Sequence, residues 1–177
     1  MPTYNNVNDK IPLVNSTQVI SYAFNTSGNF DATMISNSII KLTEIAHIEK
    51  PLGREFYEEL VTEHHGGTLT ANNTTLLDDF LYRALAYFTK YELMNDIQYN
   101  TTSSGIVTNI DEFSNAVDGE SFKRMKEDTY RKANIFLDDM IEYLTDNPTL
   151  YPLWQKYGSK ETSTDGFSTK KGGIIIY

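Results

Sequence analysis

The sequence predicts a mainly α protein: a small helical bundle with a short β element near residues 105–110 and an extended C-terminal tail. Three observations lead there. Long segments repeat apolar residues at three- and four-residue spacing, the β-branched run Ile106, Val107 and Thr108 is long enough for a short strand only, and residues 159–173 change to polar, linker-like composition. A length of 177 residues with 40% hydrophobic and 12% aromatic side chains suits one hydrophobic core. The chain divides into an N-terminal arm (1–30), a helical domain (31–157), and a linker with a docking strand (158–177).

The arm has short apolar groups, Ile11, Leu13, Val14 and then Val19, Ile20, Tyr22, interrupted by Asn, Ser and Thr. Asp31 is placed to cap a first helix over 31–47, with Ile35, Ile39, Leu42 and Ile45 as its apolar side. Pro51 suits the first position of a second helix over 51–64, carrying Leu52, Phe56 and Leu60 and stopping at Gly66-Gly67. Thr75 and Asp78 read as a capping-box variant opening the most apolar segment. Thirteen of its nineteen residues, Leu76 to Met94, are hydrophobic, too many for a helix with one wet face. The sequence therefore predicts a central helix with Phe80, Ala84, Phe88 and Tyr91 almost fully buried, covered by neighbouring helices or by another subunit.

Asp118 can cap a long helix to about Thr145, whose buried side reads Phe122, Met125, Thr129, Ala133, Phe136, Met140 and Tyr143. Its outer side pairs Glu127 with Arg131 and Asp128 with Lys132 at i,i+4. Asp138, Asp139, Glu142 and Asp146 crowd the helix C-terminus, where the macrodipole disfavours negative charge. These four are candidates for an acidic surface past which a polyanion slides without sticking. After Pro148 and Pro152, the aromatic group Tyr151, Leu153, Trp154 and Tyr157 is a candidate subunit or ring interface.

Composition excludes several kinds of function. Fifteen basic against twenty-four acidic residues give −9, which disfavours nucleic-acid binding by phosphate neutralisation. No run of about 18 apolar residues suggests a membrane span, the N-terminus lacks a signal-peptide pattern, and no membrane partner is expected. With no cysteine there is no disulfide, thiol nucleophile or thiolate metal site, and a cytosolic setting is the simplest expectation. Five Asn-x-Ser/Thr sequons read as chance in a chain rich in these residues. Of the three histidines, His64 and His65 are adjacent and diverge on a helix, so no metal pair is expected, and His47 stands alone. Acidic pairs Glu58-Glu59, Asp78-Asp79 and Asp138-Asp139 diverge likewise and read as solvated faces. No catalytic, metal or cofactor residues are assigned, and the protein is expected not to be an enzyme.

The C-terminus is the strongest anomaly. Ile174, Ile175, Ile176 and Tyr177 follow a polar stretch, and such a segment invites edge pairing with a partner. Residues 158–177 carry three lysines against Glu161 and Asp165, a net +1, leaving −10 on residues 1–157. The tail is thus suited to docking by strand addition on an acidic neighbour.

Leu81-Tyr-Arg-Ala-Leu-Ala-Tyr-Phe-Thr-Lys-Tyr91, then Gly105-Ile-Val-Thr, then Phe136-Leu-Asp-Asp-Met-Ile-Glu-Tyr-Leu144, resembles the head-tail connector (adaptor, head-completion) proteins of tailed bacteriophages, of the crAss-like and Bacteroidetes phage type. The resemblance covers about residues 31–145. It implies a helical connector domain in a homo-oligomer, a twelve-subunit ring beneath the portal protein, with terminal extensions touching portal, adjacent subunits or the next neck or tail ring protein. It implies a virion location at the head-tail interface after synthesis in the host cytoplasm, with DNA passing through the channel without specific binding. A small intracellular helical protein-binding regulator without catalytic activity is the alternative.

Overall fold

The computed structural model describes residues 11–24, 32–102, 105–108 and 119–154. The expected caps Asp31 and Asp118, Tyr157, and the tail from 158 to 177 lie outside the described residues. The helices are α1 (Ser16–Ala23), α2 (Asn37–Thr43), α3 (Glu49–Leu52), α4 (Arg54–Gly66), α5 (Ala71–Thr75), α6 (Tyr82–Gln98) and α7 (Gly119–Asp146). A π-helical turn, Glu44–Ile48, joins α2 to α3, and a second, Leu76–Leu81, joins α5 to α6. Beyond α6 the backbone pairs β1 (Tyr99–Thr102) antiparallel with β2 (Gly105–Thr108), Tyr99 opposite Thr108 and Thr102 opposite Gly105.

The fold is a helical bundle built around α6. From Leu81 to Thr89 only Arg83 is exposed and Tyr87 half-buried, and α7, α1 and α2 all pack on this helix. The buried Thr89 loses no hydrogen bond, because its hydroxyl donates to Leu85 O at 2.8 Å. Burial of each large apolar side chain here is worth about 1.5–3 kcal/mol. Of the four residues expected to be buried, Ala84 and Phe88 are; Phe80 and Tyr91 are half-buried at the rim, where each meets an aromatic ring of α7. The excess apolarity of the central helix is therefore met by its own chain.

Much of that cover comes from the segment read as an arm. Asn15 forms a full capping box with Gln18, each backbone N–H donating to the other's side-chain oxygen at 2.9 Å. Leu13, Val14, Val19 and Ala23 are core residues, so the division at residue 30 does not separate residues 13–23 from the helical domain. The broken, polar pattern hid a helix of only eight residues whose buried side is two turns long.

Three helix starts also differ from the expected ones. Ser36 caps α2, accepting from Ile39 N–H at 3.3 Å. Pro51 lies in the last turn of α3, and Gly53 makes the break before α4 with φ 77°, a conformation unfavourable for residues with a Cβ. Thr70 caps α5 by accepting from Asn73 N–H at 3.2 Å, five residues ahead of Thr75, whose own hydroxyl donates back to Ala71 O. The expected stop holds: Gly67, at φ 64°, ends α4.

Candidate functional site

Helix α2 and the π turn after it turn a carboxylate inward. Glu44 is fully buried, its Oε1 accepting from Leu13 N–H at 2.5 Å and its Oε2 from Lys41 Nζ at 3.0 Å and the Tyr57 hydroxyl at 2.8 Å. Lys41 Nζ also donates to Tyr57 Oη at 2.9 Å. The carboxylate thereby ties three parts of the chain together, and its charge is matched by the ammonium beside it. This knot turns half of the expected face outward, while Ile35 stays buried and Ile39 half-buried against the core as expected. Ile40, Thr43, Glu44 and Ile48 point inward, whereas Leu42 and Ile45 are 58% and 53% exposed. An apolar-in rule misplaces this face because a carboxylate with three donors outcompetes the aliphatic side chains for the interior.

His47, on the same π turn, stacks on Phe88 with centroids 4.3 Å apart and planes 3° off parallel. Its Nε2 is 2.8 Å from Glu92 Oε1. Tyr130 of α7 completes the group, lying 6.3 Å from the His47 ring and 4.9 Å from that of Tyr91, over which Lys126 Nζ sits at 4.7 Å. With one ring face covered and one nitrogen engaged, His47 is a packing and pairing residue joining α6 and α7. Sequence spacing gave no sign of it, since its partners are 41 to 83 positions away.

His64 and His65 are half-buried. Their rings meet edge to face at 5.7 Å, and His64 Nδ1 and both His65 nitrogens have no hydrogen-bond partner. Burial, then the neighbouring His65, holds the His64 pKa below its ordinary value, while Glu44 opposes this. Among the described residues, no three His, Asp or Glu side chains are grouped to hold a metal ion.

The predicted interface aromatics separate. Tyr151 and Trp154 are buried in their own chain: the Tyr151 hydroxyl donates to Asn72 O at 2.8 Å and Trp154 Nε1–H to Pro51 O at 3.2 Å. Tyr151 also lies 5.8 Å from the Phe56 ring and 5.9 Å from Tyr143, and burial with the Tyr143 hydroxyl raises its phenol pKa. Neither is an interface residue in this arrangement, because each spends its polar group on its own backbone. Leu153 is half-buried against the core, and Tyr157 lies outside the described residues.

Helix α7 presents the main outer surface. Thr129, Ala133, Met140 and Leu144 are buried, whereas Met125, expected inside, is 51% exposed, and Ile135 is 44% exposed. The first half of the outer face is laced with ion pairs: Arg124 with Glu120, Lys123 with Glu127 at 3.8 Å, Arg131 with Asp128 at 2.5 Å and Lys132 with Asp128 at 2.6 Å. Its second half carries the predicted acidic residues Asp138, Asp139, Glu142 and Asp146, all exposed and without an ion pair among the described residues. Asp138 is held above the usual carboxylate pKa by partial burial, then by Asp139. The structure thus gathers these four on one exposed helix end. The docking tail Ile174 to Tyr177 lies outside the described residues.

Among the described residues, no helix is long and apolar enough to cross a membrane. The class so defined is a helical bundle with a π-turned polar knot inside and an acidic helix end outside. The chain belongs to DUF6712, a family of unknown function, whose model matches residues 48–164. No curated protein and no solved structure matches it.

Proposed function

We propose that this protein is a structural subunit of a tailed-phage neck, forming a ring that joins the portal to the tail and lines the DNA channel, without catalysis. The observation carrying this reading is the exposed end of α7, where Asp138, Asp139, Glu142 and Asp146 stand without compensating cations among the described residues. Like charges at i,i+4, as in Asp138 with Glu142 and Glu142 with Asp146, cost a helix a few tenths of a kcal/mol each, and the C-terminal dipole adds to this. A surface that must repel DNA phosphates gives that cost a purpose. Twelve copies at −9 would carry about −108, a field that keeps a polyanion from adhering. The resemblance over residues 31–145 supports the same reading, as do the exposed Leu42, Ile45, Met125 and Ile135, which suit burial between copies.

The test is assembly. Purified protein, alone and with the cognate portal, is sized by light scattering and imaged by negative-stain electron microscopy. Rings of about twelve copies are expected; a monomer or dimer that persists with portal present overturns the reading and favours the small protein-binding regulator.

A further inference from the structure

β1 and β2 form a two-stranded sheet with four residues on each side. An antiparallel ladder turns the N–H and C=O of alternate residues outward, and among the described residues no third strand receives them. Two strands alone are marginal in water, so an edge of this length is a template for one more. The chain itself ends in a segment of matching length and strand-forming chemistry, Ile174-Ile175-Ile176-Tyr177, after Gly172-Gly173. The route to it starts from a fixed point, because Trp154 is anchored in the core through Pro51 O. Residues 155–173 can extend to roughly 60 Å at about 3.3 Å each, whereas a domain of this length has a radius of gyration of only about 16 Å. The tail can therefore reach well past its own domain.

We propose that residues 174–177 of one copy add as a third strand to an edge of the β1–β2 hairpin of a neighbouring copy. This rests on the ring reading, which supplies the neighbour. Main-chain hydrogen bonds provide the attraction, and the +1 charge of residues 158–177 against −10 on the remainder favours approach to another copy's body.

The absence of cysteine makes the test clean. A mass-tagged chain carrying only Ile175→Cys is mixed under assembly conditions with chains carrying only Asn100→Cys or Val107→Cys, one reporter for each strand, and oxidised. A mixed disulfide with one reporter, at least ten-fold above a Lys50→Cys control, is expected on non-reducing gels. Yields equal to the control for both reporters overturn the proposal. Light scattering on the same samples keeps the two readings apart: rings without the mixed disulfide defeat the tail docking alone, and a mixed disulfide without rings upholds the docking while the neck ring fails. A second measurement needs no cysteine. Truncation after Gly173 should accelerate amide exchange of residues 99–102 or 105–108 at least ten-fold in the assembly, and unchanged exchange in both strands overturns the proposal.

Discussion

Helices α6 and α7 lie against each other yet are made on different terms. From Tyr82 to Thr89 α6 is enclosed on nearly every side, so the order of this stretch comes from tertiary burial and little of its surface is left for a partner. α7 gives one face to that core, through Thr129, Ala133, Met140 and Leu144, and keeps a charged outer face for solvent or for other proteins. Apolarity alone would have marked α6 as the assembly element. The structure shows that an apolar helix can be satisfied at home, and that the more exposed surface lies on its amphipathic neighbour.

The sharpest way to break this contrast is truncation inside and outside. Phe88→Ala should destabilise by about 3–5 kcal/mol in urea unfolding, whereas Met125→Ala or Ile135→Ala should change stability by less than about 0.5 kcal/mol. A Phe88→Ala loss below about 1 kcal/mol would mean that α6 is not the centre. Glu44→Ala should cost about 3 kcal/mol, since it strands the Lys41 ammonium and the Leu13 amide in the interior. Protease sensitivity between residues 11 and 24 should rise with it; if that segment stays protected, the carboxylate does not hold it. Tyr151→Phe should cost about 1 kcal/mol by removing the hydroxyl's hydrogen bond to Asn72 O, with no change in assembly, because the ring is an internal anchor. A loss of assembly at full stability would return it to the interface.

On the outer face the expected effects are smaller and opposite in sign. Glu142→Gln should stabilise the isolated subunit by a few tenths of a kcal/mol, an effect that fades with added salt as the repulsion is screened. The weakest probe is pH. The folded state keeps His64 neutral, so the unfolded chain binds its proton first as pH falls through the ordinary value of 6.5. Stability should decline from there until His64 also titrates in the fold. His64→Gln should flatten this part of the melting-temperature profile, and an unchanged slope would show that His64 is not its source.

How much was legible follows from the range of each interaction. α7 could be read to within a residue or two, because 28 residues repeat one apolar period. The exposed acidic quartet could be read as well, since four acids at one helix end share a face by spacing alone. Leu42 and Ile45 could not: their exposure depends on Glu44 meeting Leu13 and Tyr57, which lie 31 and 13 positions away. Nor could the roles of Tyr151 and Trp154, whose hydrogen bonds close 79 and 103 positions back along the chain.

The sequence by itself determined the helical class, the central place of the segment around Phe88, the stop at Gly67 and the charge laid along α7, because periodicity, backbone freedom and charge are properties of neighbours in sequence. Only the tertiary structure decided which apolar groups go inside, since burial is a competition among all faces of the chain. There a carboxylate with three donors displaced two aliphatic side chains, and an eight-residue helix from a polar arm covered part of the face for which neighbouring helices or another subunit had been expected.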